Sequence, residues 1–324
     1  MRKLLVMLMG LVPVTGLAMD HSLVVGPEAC IDCHSPEHDV WAETTHYKTY
    51  EELSISDAAL EIADALGIDD IEDPSGTCVG CHFTLMGETA DDAEPIAGIS
   101  CESCHGAAAD WIDGHGLYPG DGPESESADQ KQARIAEAEG AGQIRPERVN
   151  LIAANCMACH TVPDETLVNK GGHVAGSAIE LVSWLDGEVR HNLFWSNGED
   201  NVSSSPERKR ELYVVGLAAD LEFSLRGLAK SKVAGNYRAS MADRVKAAAA
   251  GLAAAGGAAN SPALSQLAAI AASVDAGSHD PGAYTAAADQ LATASRAYVT
   301  SGEGRALSGL DALIPGEGHY SEKY

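Results

Sequence analysis

The alternation of apolar and polar positions divides this chain into three stretches. Leu4 to Val14 form a short apolar run behind Met-Arg-Lys, followed by small residues at Gly16 and Ala18. A bilayer span needs about 20 apolar residues, so the run reads as a secretory signal peptide over residues 1–18, cleaved after Ala18. From residue 205 the pattern is helical: Leu212, Val215, Leu221, Leu225 and Leu228 keep an approximate stripe in an Ala- and Leu-rich region without cysteine. Three helix starts are marked by a capping residue before proline, at Ser205-Pro206, Ser261-Pro262 and Asp280-Pro281. A further helix is expected from about Tyr237 to Ala255, ending at Gly256-Gly257. These segments predict an antiparallel bundle of three or four helices with an Ala-rich seam over 205–324. The middle stretch, 19–204, is expected to hold short helices and loops with little or no sheet. Residues 121–130 read there as an acidic, Ser-rich loop.

Composition changes the picture of that middle stretch. The chain has 324 residues, of which only 5% are aromatic, with three Phe and four Trp. It carries 48 acidic and 21 basic residues, a formal charge of −27. That charge excludes binding to nucleic acid, which requires a basic footprint, and disfavours anionic lipid.

All eight cysteines fall in four copies of one motif: Cys30-Ile31-Asp32-Cys33-His34, Cys78-Val79-Gly80-Cys81-His82, Cys101-Glu102-Ser103-Cys104-His105 and Cys156-Met157-Ala158-Cys159-His160. Cys-x-x-Cys-His is the attachment motif of c-type haem. Two thiols on one turn meet the two vinyl groups of the porphyrin, and the following histidine lies under the iron. Four disulfides would give no reason for the histidines, zinc knuckles would have surplus ligands, and a thioredoxin-like site needs one motif only. Chance supplies on the order of 0.01 copies per chain. The expectation is four covalent haems, numbered here by motif, in an exported, periplasmic protein. Between Cys30 and His191 they share about 160 residues, about 40 each, so porphyrin replaces a conventional core.

Iron needs a sixth ligand or an open face. Methionine is scarce after residue 18, with only Met19, Met86, Met157 and Met241, so bis-histidine ligation is expected. Eight histidines lie outside the motifs: His21, His38, His46, His115, His173, His191, His279 and His319. His46, His115, His173 and His191 are the candidate distal ligands. His46 falls on an expected helix after the first motif, and His115 and His173 lie beside glycines that let backbone approach a flat ring. His38 reads as solvated and acid-paired; His21, His279 and His319 are background.

At Cys30 to His46 with Trp41 between, at Thr77 to His82, at Gly98 to Gly106 through His115, and at Asn155 to His160, the chain resembles the tetrahaem cytochrome c five-five-four family. Its members are electron carriers paired with hydroxylamine oxidation. The likeness covers roughly residues 28–160. It implies crossed ligation: His34 with His115 at haem one, His105 with His46 at haem three. It also implies a five-coordinate haem two on His82, and at haem four His160 with a later ligand, for which His191 is preferred to His173. The family's best-known carrier is basic, whereas this chain is acidic.

The expected fold is therefore mainly α, a multihaem cytochrome c domain at 19–204 followed by a helical region at 205–324. The expected function is electron transfer among closely packed haems, with redox partners docking through a basic face. Two alternatives remain open. One is a redox enzyme acting on nitric oxide, nitrite or hydroxylamine at an open haem two, with Glu88, Asp91 and Asp92 as acid–base candidates. The other is a subunit of a larger conduit, or an oligomer, assembled through the C-terminal helices. The helical half contains nothing that looks catalytic.

Overall fold

The computed structural model describes residues 19–89 and 92–317. The signal peptide expected at 1–18, and also Asp91 and His319, lie outside the described residues. The first part of the chain is a series of short helices: α1 (Glu28–Ala42), α2 (Thr45–Glu52), α3 (Asp57–Leu66), α4 (Val79–His82), α5 (Cys101–His105), α6 (Ile112–His115), α7 (Ala128–Gly140), α8 (Val149–His160), α9 (Glu165–Asn169) and α10 (Leu181–Leu185). One two-stranded antiparallel ribbon, β1 (Thr84–Met86) and β2 (Glu94–Ala97), joins the second and third motifs. Four long helices follow, α11 (Pro206–Lys230), α12 (Asn236–Ala258), α13 (Pro262–Ala272) and α14 (Pro281–Ser301). The protein is mainly α with little sheet, as its sequence leads one to expect.

The three marked helix starts are realised by their capping residues. Ser205 Oγ accepts from Arg208 N, Ser261 Oγ from Leu264 N, and Asp280 from Gly282 N and Ala283 N. Each satisfies an orphan N–H of the first turn, and proline follows where no donor is needed. The helix expected to stop at Gly256-Gly257 runs on to Ala258. Residues 121–130 are not one continuous loop. A 3-10 turn at Pro123–Ser125 leads to Ser127, which caps α7 in a reciprocal box with Gln130. Only the serine-rich composition was legible there, whereas the box makes the boundary.

The bundle closes as a ring, α11 against α12, α12 against α13, α13 against α14, and α14 back on α11. Its core is apolar: Leu212, Leu221, Leu225, Leu228, Met241, Leu252, Leu264, Leu267 and Leu291 are fully or almost fully buried. Burying each such side chain contributes about 1.5–3 kcal/mol. This core does not stop at residue 205. Val149, Ala153 and Met157, spaced i, i+4, i+8 on one face of α8, join it, as do Val168, Leu181 and Val182. The fourth Cys-x-x-Cys-His helix is thus built into the bundle. By contrast, the first three motifs are held around two small clusters, one of Ala63, Ile71, Val79, Phe83, Leu85 and Ala93, the other of Ala108, Trp111 and Ala138.

Candidate haem-attachment sites

Each motif sits at the end of a short helix. Motif one lies on α1, whose backbone departs from helical geometry at His34 (φ −123°, ψ 35°) before Pro36. Motif two forms α4, motif three α5 and motif four the last turn of α8. Ser100 and Ser103 cap α5 reciprocally, and Gly106 ends it at φ +86°, a backbone conformation natural to glycine.

Three of these segments are tied directly to one another. The carboxylate of Glu102, buried inside motif three, accepts from Val25 N at 3.1 Å, Gly26 N at 2.8 Å and Ala108 N at 2.8 Å. It clamps the chain entering α1 onto α5. Asn155 Nδ2 on α8 donates to the carbonyls of Ser103 and Cys104 at 3.4 and 3.3 Å. A hydrogen bond between the Cys30 and Cys101 thiols, with burial, pushes Cys30 up, and one between Cys159 and Cys81 does the same to Cys159. Burial raises Cys104 to about 11 and Cys156 to about 12, the latter also through the Cys104 charge. The motifs therefore neighbour one another in the order one, three, four, two.

The histidines fall into four pairs. Ring centroids are 6.3 Å apart for His34 and His115, 6.4 Å for His82 and His173, 6.1 Å for His105 and His191, and 6.0 Å for His46 and His160. Two imidazoles on opposite sides of one metal, with bonds of about 2 Å and about 1 Å from nitrogen to ring centre, are separated by about 6 Å. Every pair joins one motif histidine to one histidine outside the motifs.

The ring nitrogens are pre-set for the same task. Nδ1 lies 3.0 Å from the Ile144 carbonyl in His105, 2.6 Å from Ile112 O in His115, 2.8 Å from Val174 O in His173 and 2.7 Å from Val189 O in His191. A carbonyl only accepts, so Nδ1 carries the proton and Nε2 keeps its lone pair for a metal. In His160, Nδ1 meets Ser177 Oγ at 2.6 Å. Burial holds His82, His105 and His160 at about 4, and lowers His46 and His115 as well. Buried imidazoles stay neutral, the form that ligates. The orphaned donors Arg190 Nε and Trp111 Nε1 are buried, the Trp111 ring lying 5.1 Å from that of His115, and suit the propionates of a porphyrin. The residues present fit covalent haem.

Residues 29–106 match the family model of cytochrome c554 and c-prime. This segment is of the cytochrome c554 family. Cytochrome c-554 of Nitrosomonas europaea is 30% identical over 97 residues, which cover 28% of this chain and 41% of the relative. The chain thus spans about two fifths of the length of the curated relative it matches. No solved structure matches it. The family is one of c-type cytochromes, with covalently bound haem.

The cytochrome c554 segment holds motifs one to three and His46. Motif four, His115, His173, His191 and the bundle lie beyond it. The carried-over juxtaposition of His34 with His115 is the one observed. That of His105 with His46 is not: α2 directs His46 to His160, and His105 faces His191. His191, expected for motif four, lies beside His105 of motif three instead. The cause lies in packing. Ile99 N donates to His46 O at 3.0 Å, and a side chain on Gly98 would collide with that carbonyl, so α2 is held against the segment entering motif three with His46 turned away toward α8. At His82, where the resemblance implies an open face, the Gly171-Gly172 turn, with Gly172 at φ +78°, delivers the His173 ring opposite. Of the acid–base candidates there, Asp92 accepts from Thr89 Oγ1 at 2.7 Å and closes a turn, and Glu88 is exposed. His38 makes a loose approach to Asp39 at 3.9 Å, as its sequence neighbours suggested.

Glu102 and Ser177 position this site and were not singled out from sequence. Glu102 carried a signal, an acid in the one motif whose helix must bind loop amides. Ser177 carried none, since its role arises from contacts distant along the chain.

Proposed function

We propose that this protein is a periplasmic tetrahaem c-type cytochrome that carries electrons between redox partners and is not an enzyme. The reading is carried by the four imidazole pairs at 6.0–6.4 Å. Cys30 and Cys33, Cys78 and Cys81, Cys101 and Cys104, and Cys156 and Cys159 would attach the haems. His34, His82, His105 and His160 would be the proximal ligands, and His115, His173, His191 and His46 respectively the distal ones. Bound there, the irons supply reversible one-electron chemistry. The polypeptide fixes the ligating tautomer of His105, His115, His173 and His191 and holds both imidazoles of each pair in place. Glu102 and Asn155 tie motifs one, three and four together, and motif two lies beside motif four, so the order one, three, four, two offers a path needing no substrate pocket.

The alternative of a small-molecule redox enzyme requires an open face at haem two, and His173 opposite His82 argues against one. The net charge of −27 favours partners with a basic docking face. Electron paramagnetic resonance of the oxidised protein tests the reading: low-spin signals accounting for four haems are expected. A high-spin haem amounting to a quarter of the total would sink the assignment of His173 and reopen the enzymatic alternative.

A further inference from the structure

Motif one differs from the others in its access to the surface. Cys33 is the exposed member of the eight cysteines, and the His34 side chain is 36% exposed. Against His34 lies Phe194, with ring centroids 5.4 Å apart and planes inclined by 36°. Phe194 is in turn met edge-on by Trp195 at 5.0 Å. Trp195 is 77% exposed, more than any other large apolar side chain of the described residues. The turn that presents it ends at Asn197 in the left-handed region (φ 53°) and packs onto α1, where a side chain on Gly198 would strike Pro36. Three aromatic rings therefore run in contact from the motif-one histidine to solvent.

We propose that Phe194 and Trp195 form the port through which electrons leave this protein at motif one, and that its occupant is a redox protein offering a basic face around an apolar centre. This rests on the electron-carrier reading above. The charge around the port selects the partner. Residues 28–42 contain Glu28, Asp32, Glu37 and Asp39, residues 194–205 contain Glu199 and Asp200, and neither segment has a lysine or arginine. Asp32, Asp39, Glu199 and Asp200 are exposed. An exposed tryptophan inside an acidic rim combines a contact anchor with electrostatic steering of a cationic partner. In the transfer, one electron crosses the two rings. An iron held by His34 would lose one electron and the partner's oxidised centre would gain it, with no bond changed and no proton moved.

The test mixes the fully reduced holoprotein in a stopped-flow instrument with an oxidised, strongly basic monohaem cytochrome c of higher potential as probe. A parallel reaction uses a small neutral quinone. Trp195→Ser is expected to slow electron delivery to the cytochrome at least tenfold at low salt, with the quinone reaction and the absorption spectrum unchanged. Val233→Ser removes an apolar side chain that is 56% exposed just beyond the C-terminal end of α11, and is expected to alter neither reaction. The wild-type rate with the cytochrome should also fall as salt is added. Equal cytochrome rates for wild type and Trp195→Ser overturn the port alone, as does a rate insensitive to salt. A wild-type protein that reduces neither oxidant overturns the carrier reading and the port with it.

Discussion

The hydroxyl of Ser177 lies 2.6 Å from Nδ1 of His160, and Arg244 of α12 donates to the Ser177 carbonyl at 2.6 Å. The same guanidinium is paired with Asp220 of α11 at 2.8 Å. The bundle thereby orients the histidine of motif four, although it contributes no histidine or cysteine to the paired sites. This gives the C-terminal half a role that its composition does not reveal: it is a frame for the histidine of motif four.

Removing the hydroxyl isolates that role. Ser177→Ala leaves His160 Nδ1 without its partner, which changes ring orientation and ligand basicity. In a potentiometric titration of the holoprotein, one of four midpoints should move by tens of mV, about 60 mV being a tenfold change in a one-electron equilibrium. The other three should stay. Four unchanged midpoints would show that Ser177 does no more than fill space.

The pairing of histidines can be read by counting. His46 and His160 face each other, so the double variant His46→Ala/His160→Ala should perturb one haem, whereas His46→Ala/His105→Ala should perturb two. Low-spin intensity in electron paramagnetic resonance makes the count. The opposite outcome would restore the family-derived pairing of His46 with His105.

Acid should loosen the joint between α10 and the bundle. The Asp186 carboxylate, wholly buried, meets Lys209 Nζ at 2.7 Å, Ser203 Oγ at 2.9 Å and Ser204 N at 2.9 Å. Burial pushes this carboxyl up, but Lys209 and the Ser204 and Ser203 hydrogen bonds outweigh it and hold it below its usual value. A depressed carboxyl contributes stability that is present above its unfolded value, about 3.9, and lost as pH falls through the folded one. Asp186→Asn is therefore expected to cost about 3 kcal/mol at pH 7, the range for breaking a buried pair. That gap should narrow steadily below pH 4. Urea denaturation of both proteins at pH 7 and pH 3 measures it; a gap that is the same at both values would count against the ionised carboxylate.

How much of this was legible in the residues differs between the two halves. The caps Ser205, Ser261 and Asp280 are local chemistry, decided within four residues, and α11, α13 and α14 begin where they indicate. The capping box at Ser127 and Gln130 is equally local, and an acidic composition concealed it. Position along the chain shows which histidines stand near which motif, but not which rings meet.

The sequence by itself determined the attachment chemistry expected here: four Cys-x-x-Cys-His motifs, a shortage of methionine that points to histidine, and an acid excess that restricts the partner. Those are properties of residue type and short spacing. Tertiary structure alone decided that His46 meets His160, His105 meets His191 and His173 meets His82, because these rings are brought together from 86 to 114 residues apart by α2, the glycine turn at 171–172 and the bundle. It also decided that the helical half is continuous with the haem-binding half. The apolar face of α8 could be recognised as a stripe, but only packing shows that its partner lies beyond residue 205.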